Sequence, residues 1–185
     1  MSSLLPKAGR RCPRCGAAPV LETPGHRVLG LQAHGLTHRA IAGRLGWSSD
    51  TVGALAGQAR QQLGAATAVQ AVDIACRTGL LVPPPGDPLV AARVTGGQLT
   101  AFEPITRGLS HQECAKVLRV GTATVGSHLR LLYHRIGART AAHAAYLLHG
   151  LRRLPSGHPC RCPGRGTVDA PAVTAPAIRL APVGR

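Results

Sequence analysis

One stretch of this chain is written twice, 73 residues apart and without a gap. Gly35-Leu36-Thr37-His38-Arg39-Ala40-Ile41-Ala42 is followed by Leu45, Thr51-Val52-Gly53 and Leu63-Gly64-Ala65. Gly108-Leu109-Ser110-His111-Gln112-Glu113-Cys114-Ala115 is followed by Leu118, Thr124-Val125-Gly126 and Ile136-Gly137-Ala138. Thirteen of the forty-one paired positions in 35–75 and 108–148 are identical, and the matches fall on turn and apolar signals. A repeat constrains architecture before any residue has a role. The repeated unit here reads as a short helix, a turn and a second helix.

The chain has 185 residues, enough for two units of about 60, each just able to hold its own core. Aromatics are 2% of the chain, so those cores must be narrow seams of Leu, Ile, Val and Ala. In the first unit Val28, Leu29 and Leu31 mark a helix that Gly35 closes. Thr37 N-caps a second helix bearing Ile41, Ala42 and Leu45, which Gly46 ends. Ser48 caps a third with Val52, Leu55, Ala59 and Leu63 at helical spacing, stopped by Gly64. Thr67 caps a fourth with Ala68, Ala71, Val72 and Ala75 inward, ended by Gly79. The second unit repeats the order. Ala101, Phe102 and Ile105 mark its first helix, with Pro104 predicting a kink or a short helix. Ser110 caps the second, Val125, Leu129, Leu132 and Ile136 line the third, and Thr140 caps the fourth.

Pro83-Pro84-Pro85-Gly86-Asp87-Pro88 between the units predicts a stiff, extended spacer. The expected fold is therefore all-α: two tandem four-helix helix-turn-helix modules joined by a Pro-rich linker, with irregular termini. The boundaries are a basic arm at 1–19, module one at 20–82, the linker at 83–91, module two at 92–154 and a Pro/Gly/Ala-rich tail at 155–185.

Gly-Leu-Ser/Thr, then Ile/Cys-Ala, Thr-Val and Leu/Ile-Gly-Ala, with an alanine-rich last helix, resembles the LuxR-type helix-turn-helix family across both units. The resemblance is strongest in Thr124-Val125-Gly126-Ser127-His128 with Leu132-Tyr133-His134-Arg135-Ile136-Gly137. It implies duplex DNA as partner, the third helix in the major groove, and homodimer formation through the fourth helices. Such a domain usually follows a sensory or receiver domain; this chain has two copies and no room for a sensor.

Carried over position by position, the resemblance puts Gly126, Ser127 and Arg130 at the bases in module two and Lys116, Thr124 and Arg135 toward phosphates, with Val125 also among the expected DNA-binding residues. Arg130 is the best base reader, because a guanidinium can bind guanine at two points. The module-one counterparts are Thr51, Val52, Gly53, Ala54 and Gly57, with Gln58 and Arg60 beyond them. Gly53, Ala54 and Gly57 donate no side-chain hydrogen bond, which leaves module one open as a base reader or as a packing and backbone-clamping unit. Both modules carry glycine where the family usually has lysine.

The net charge is +15, unevenly spread: +4 over 1–20, +2 over 21–93, +6 over 94–154 and +3 over 155–185. A polyanionic partner fits that balance, and the second unit fits it best. No run of about eighteen apolar residues predicts a membrane span, and the N-terminus does not resemble a signal peptide, so the expected location is the cytoplasm. No acid pair, phosphate-binding glycine loop or nucleophile–base arrangement occurs, and the chain is expected not to be an enzyme. Cys114 reads as a buried thiol, His128 as structural, and Cys76 has no partner in view. Cys12-Pro13-Arg14-Cys15-Gly16 and Cys160-Arg161-Cys162 form two pairs, one in each tail, and Cys12, Cys15, Cys160 and Cys162 could together hold zinc. No cofactor is otherwise required.

The expected function is a sequence-specific transcriptional regulator. Two alternatives stay open: a protein-interaction adaptor with degenerate helix-turn-helix modules, or a sigma-factor-like promoter-binding protein.

Overall fold

The computed structural model describes residues 23–154. Those residues form nine α-helices and no strand. They are α1 (Pro24–Ala33), α2 (His38–Leu45), α3 (Ser49–Leu63), α4 (Ala68–Arg77), α5 (Pro88–Arg93), α6 (Gly96–Thr106), α7 (His111–Leu118), α8 (Thr122–Ile136) and α9 (Ala141–Gly150). α2, α3 and α4 have 8, 15 and 10 residues, and α7, α8 and α9 repeat those lengths with each boundary moved by 73.

Local chemistry sets these edges. The hydroxyls of Thr37, Ser48, Thr67, Ser110 and Thr140 each accept the N–H three residues on, satisfying a donor the helix cannot. Thr23 does the same for α1, ahead of a proline at the first helical position. Gly46 and Gly137 end α2 and α8 in the left-handed conformation, whereas α7 ends on Arg119 at φ 54°. α6 runs eleven residues with Pro104 in its last turn, where the missing N–H removes only one bond of the ladder.

The linker departs from expectation. Asp87 Oδ1 accepts the Leu89 N–H at 2.8 Å, and Asp87-Pro88 starts α5 inside the segment expected to be extended. The stretch before it is fastened to α9: the Tyr146 hydroxyl donates to the Val82 carbonyl at 3.1 Å, and the Gly86 N–H to the Gly150 carbonyl at 3.0 Å.

Two apolar clusters result. One is confined to α1–α3: Val28, Leu31, Ile41, Ala42, Val52 and Ala56, with Trp47 and Leu36 against them. The larger one joins both halves, running from Leu29, Ala71, Val72 and Ala75 to Phe102, Leu129, Leu132 and Leu148. The expectation of one separate core per unit is therefore corrected. Its cause is the alanine content of α4 and α9. Ala71, Ala75, Ala144 and Ala145 are fully buried, and such small side chains let the two helices pack closely in the broadest helix–helix contact of the fold. The pairing of fourth helices, expected between two chains, thus occurs within one.

A buried polar tie crosses the same contact. Asp73 Oδ1 lies 2.9 Å from His149 Nε2, with both side chains almost wholly enclosed. Arg77 Nε stands 3.0 Å from the other Asp73 oxygen, poorly aligned for a hydrogen bond.

Candidate nucleic-acid interface

α7, a turn and α8 form the more polar of two helix–turn–helix arrangements. Ser110 and Glu113 fix the start of α7 reciprocally: the Ser110 N–H and hydroxyl both donate to Glu113 Oε2 at 2.7 Å. Those two donors hold the Glu113 carboxyl below its ordinary range. The chain then turns through Arg119, Val120 and Gly121, and Gly121 occupies the N-cap of α8.

α8 buries Val125, His128, Leu129, Leu132 and Ile136, and this stripe decides what the rest can reach. Ala123, Gly126, Ser127, Arg130 and His134 recur at three- and four-residue spacing on another face. Ala123, Arg130 and His134 are exposed, and Gly126 and Ser127 are half-buried. A Cβ added at Gly126 would meet nothing within 4 Å, so neither packing nor backbone angle demands glycine there. Lys116 is exposed on α7 and Arg119 at the turn, placing two cations at the end of the supporting helix. Among the described residues Arg130 has no hydrogen-bond or ion-pair partner.

Not every residue expected at DNA has a side chain free to reach it. Val125 and its counterpart Val52 are 0% exposed and belong to the core, so both are removed from the interface. Arg135 turns toward the α5–α6 junction, where one guanidinium nitrogen donates to the Arg93 carbonyl at 2.8 Å and to Gln98 Oε1 at 3.2 Å. Gln98 in turn accepts the Thr95 N–H at 3.1 Å. Arg135 therefore ties α8 to its neighbours, which takes it off the list of residues free to meet phosphate. Thr124 is half-buried. His134 and Arg119 were not among the sequence candidates; His134 follows Arg130 by one helical turn, and that spacing was the available signal.

The arrangement α2–turn–α3 repeats the geometry with different chemistry. α3 buries Val52, Ala56 and Ala59. Its positions matching Ala123, Gly126, Ser127, Arg130 and His134 are Asp50, Gly53, Ala54, Gly57 and Gln61. That face has no cation and begins with a carboxylate. Thr51 is exposed, with its hydroxyl 2.9 Å from Ser48 Oγ; Gln58 is exposed, and Arg60 is half-buried. The exposed cations of this helix–turn–helix are Arg39 and Arg44, both on α2.

Neither described cysteine is poised for nucleophilic chemistry. Cys114 is fully enclosed, and burial followed by the Glu113 charge pushes its thiol up. Burial, then the Asp73 carboxylate, pushes the Cys76 thiol up further still. Among the described residues no group of three or more His, Cys, Asp or Glu side chains is arranged to hold a metal ion. Cys12, Cys15, Cys160 and Cys162 lie outside the described residues. No described helix is long and apolar enough to cross a membrane. Comparison with family models, curated proteins and solved structures gave no match for this chain.

Proposed function

We propose that this protein binds duplex DNA through α8 and acts as a transcriptional regulator. The observation that carries this reading is the free face of α8. It presents Ser127, Arg130 and His134 without partners of their own element, flanked by Lys116 and Arg119, on a helix whose other face is locked into the core. A helix held that rigidly can enter a major groove while the helix before it lies along the phosphates. Arg130 reads the base and Lys116 and Arg119 contact phosphates. The +6 charge over 94–154 gives the same half the stronger pull on a polyanion.

Binding of the full chain to duplex DNA, measured against salt, tests the proposal. The logarithm of affinity should fall linearly with the logarithm of salt, at about −0.9 per phosphate contact. Arg130→Ala should remove about 1–3 kcal/mol of preference at one base pair, and Lys116→Ala should weaken all sequences alike. No retention of duplex at low salt, or a flat salt response, would reject DNA binding and favour an adaptor role.

A further inference from the structure

The two halves of the chain meet as two copies of one subunit would. α1 touches α9 while α6 touches α4. A Cβ on Gly35 (φ +82°) would meet His143 and Arg139; one on Gly108 (φ +93°) would meet Gln70 and Ala66. Gly108, His143 and Arg139 lie 73 residues after Gly35, Gln70 and Ala66 respectively. The local bonding repeats as well: the Arg139 N–H donates to His143 Nδ1 at 3.2 Å, and the Ala66 N–H to Gln70 Oε1 at 2.8 Å. Across the α4–α9 contact Asp73 faces His149. Their counterparts under the same shift, Tyr146 and Cys76, likewise sit one on each of these two helices. Contacts in which residue i meets j, and the counterpart of j meets the counterpart of i, are the mark of a twofold axis. That axis passes between α4 and α9.

We infer that a single chain is an intramolecular pseudo-dimer that binds one asymmetric, two-part duplex DNA site, with base discrimination confined to the half under α8. This rests on the DNA-binding reading above and adds the form of the ligand and the number of chains on it. A rotation that carries α2–α3 onto α7–α8 gives the molecule two heads related as the two halves of a DNA site are related by the dyad of the duplex. The surface that would join two chains along the fourth helices is buried inside one, so a second copy has no place there. The heads differ where bases would be met. Ser127 and Arg130 stand in one; Ala54 and Gly57 stand at the same positions in the other, which also has Gly43 where Lys116 would meet phosphate. The first head keeps Arg39 and Arg44 exposed on α2, where the second has Gln112 and Val117. Those two cations meet phosphate, which carries no sequence information of its own, and the α3 face between Asp50 and Gln61 offers only Gly53, Ala54 and Gly57.

The test is selection of bound duplexes from a random pool by the full chain at low salt, followed by the mass of the complex and a backbone footprint. The expected motif is informative on one side only. The expected complex holds one chain of 19.1 kDa per duplex, and the free chain sediments as a monomer. Protection should cover two major-groove faces about ten base pairs apart. Arg130→Ala should flatten the motif by tenfold or more while the footprint keeps its length, and the double substitution Arg39→Ala with Arg44→Ala should shorten the footprint while the motif survives. A palindromic motif, two chains per duplex, or a footprint covering one groove face overturns this inference and leaves DNA binding intact. Failure to retain any duplex overturns both.

Discussion

Removing the Asp73 carboxylate should destabilise the whole described fold, not one half of it. Asp73 sits on α4 and His149 on α9, 4% and 7% exposed, with 2.9 Å between Oδ1 and Nε2. Asp73→Ala leaves the imidazole enclosed without its partner and takes the counter-charge from Arg77. A stranded buried polar group costs about 1–3 kcal/mol, and breaking a buried ion pair from one side costs about 3–5. We expect about 3 kcal/mol. His149→Ala should cost less, about 2 kcal/mol, because Asp73 still has Arg77 at 3.0 Å.

The pair interaction is lost only once, so the double substitution should also cost about 3 kcal/mol. That leaves a coupling of about 2 kcal/mol, well beyond the few tenths expected of independent sites. Urea unfolding followed by helical circular dichroism gives all four stabilities. At roughly 3 °C per kcal/mol for a fold of this size, the Asp73→Ala midpoint should drop by about 10 °C. The transition should remain single, because the larger apolar cluster draws on both halves and α4–α9 is its broadest seam. A coupling below about 0.5 kcal/mol would refute the tie. Two separate transitions would refute the shared core.

Three other outcomes follow from particular residues. Gly53→Ala and Gly126→Ala should each stabilise the fold by about 0.5–1 kcal/mol in thermal unfolding, because helix propensity rises and the added methyl meets nothing within 4 Å; destabilisation by either would contradict that open space. Burial first, then His34 and Arg139, holds His143 below the ordinary histidine range. Its contribution is present above the unfolded value of about 6.5 and is lost as pH falls through the lower folded one. His143→Gln, which copies the counterpart Gln70, should abolish that acid sensitivity in a pH series of unfolding midpoints; an unchanged profile would show that another group is responsible. Metal analysis of purified protein should find about one zinc per chain if Cys12, Cys15, Cys160 and Cys162 share an ion, and its absence would end that reading without touching DNA binding.

Helix boundaries were legible because their signals are local. Thr37, Ser48, Thr67, Ser110 and Thr140 each act within three residues of their own position. α5 was hidden by the run of prolines before it, although Asp87-Pro88 is itself a cap followed by a first-turn proline. The shared core was hidden for a different reason. An alanine-rich face looks the same whether it meets its own module or another, and 76 residues separate Asp73 from His149.

The positions of the candidate side chains were legible only in part, and the misplacements share a cause. A family motif transfers a position in a helix, but not the direction its side chain takes. Val52 and Val125 were expected at DNA, yet each lies on the stripe its helix buries: Val52 with Ala56 and Ala59, Val125 with Leu129, Leu132 and Ile136. The same periodicity that places Val125 inward places Arg130 and His134 outward on successive turns. Arg135 shows the limit of even that argument. Its backbone position is exposed, but Gln98 and the Arg93 carbonyl stand within reach of a long side chain, and both belong to a segment some forty residues earlier in sequence. An arginine on the free face of a recognition helix is therefore a candidate for DNA only once no acceptor of its own chain is near enough to claim it. Among the described residues Arg130 meets that condition and Arg135 does not.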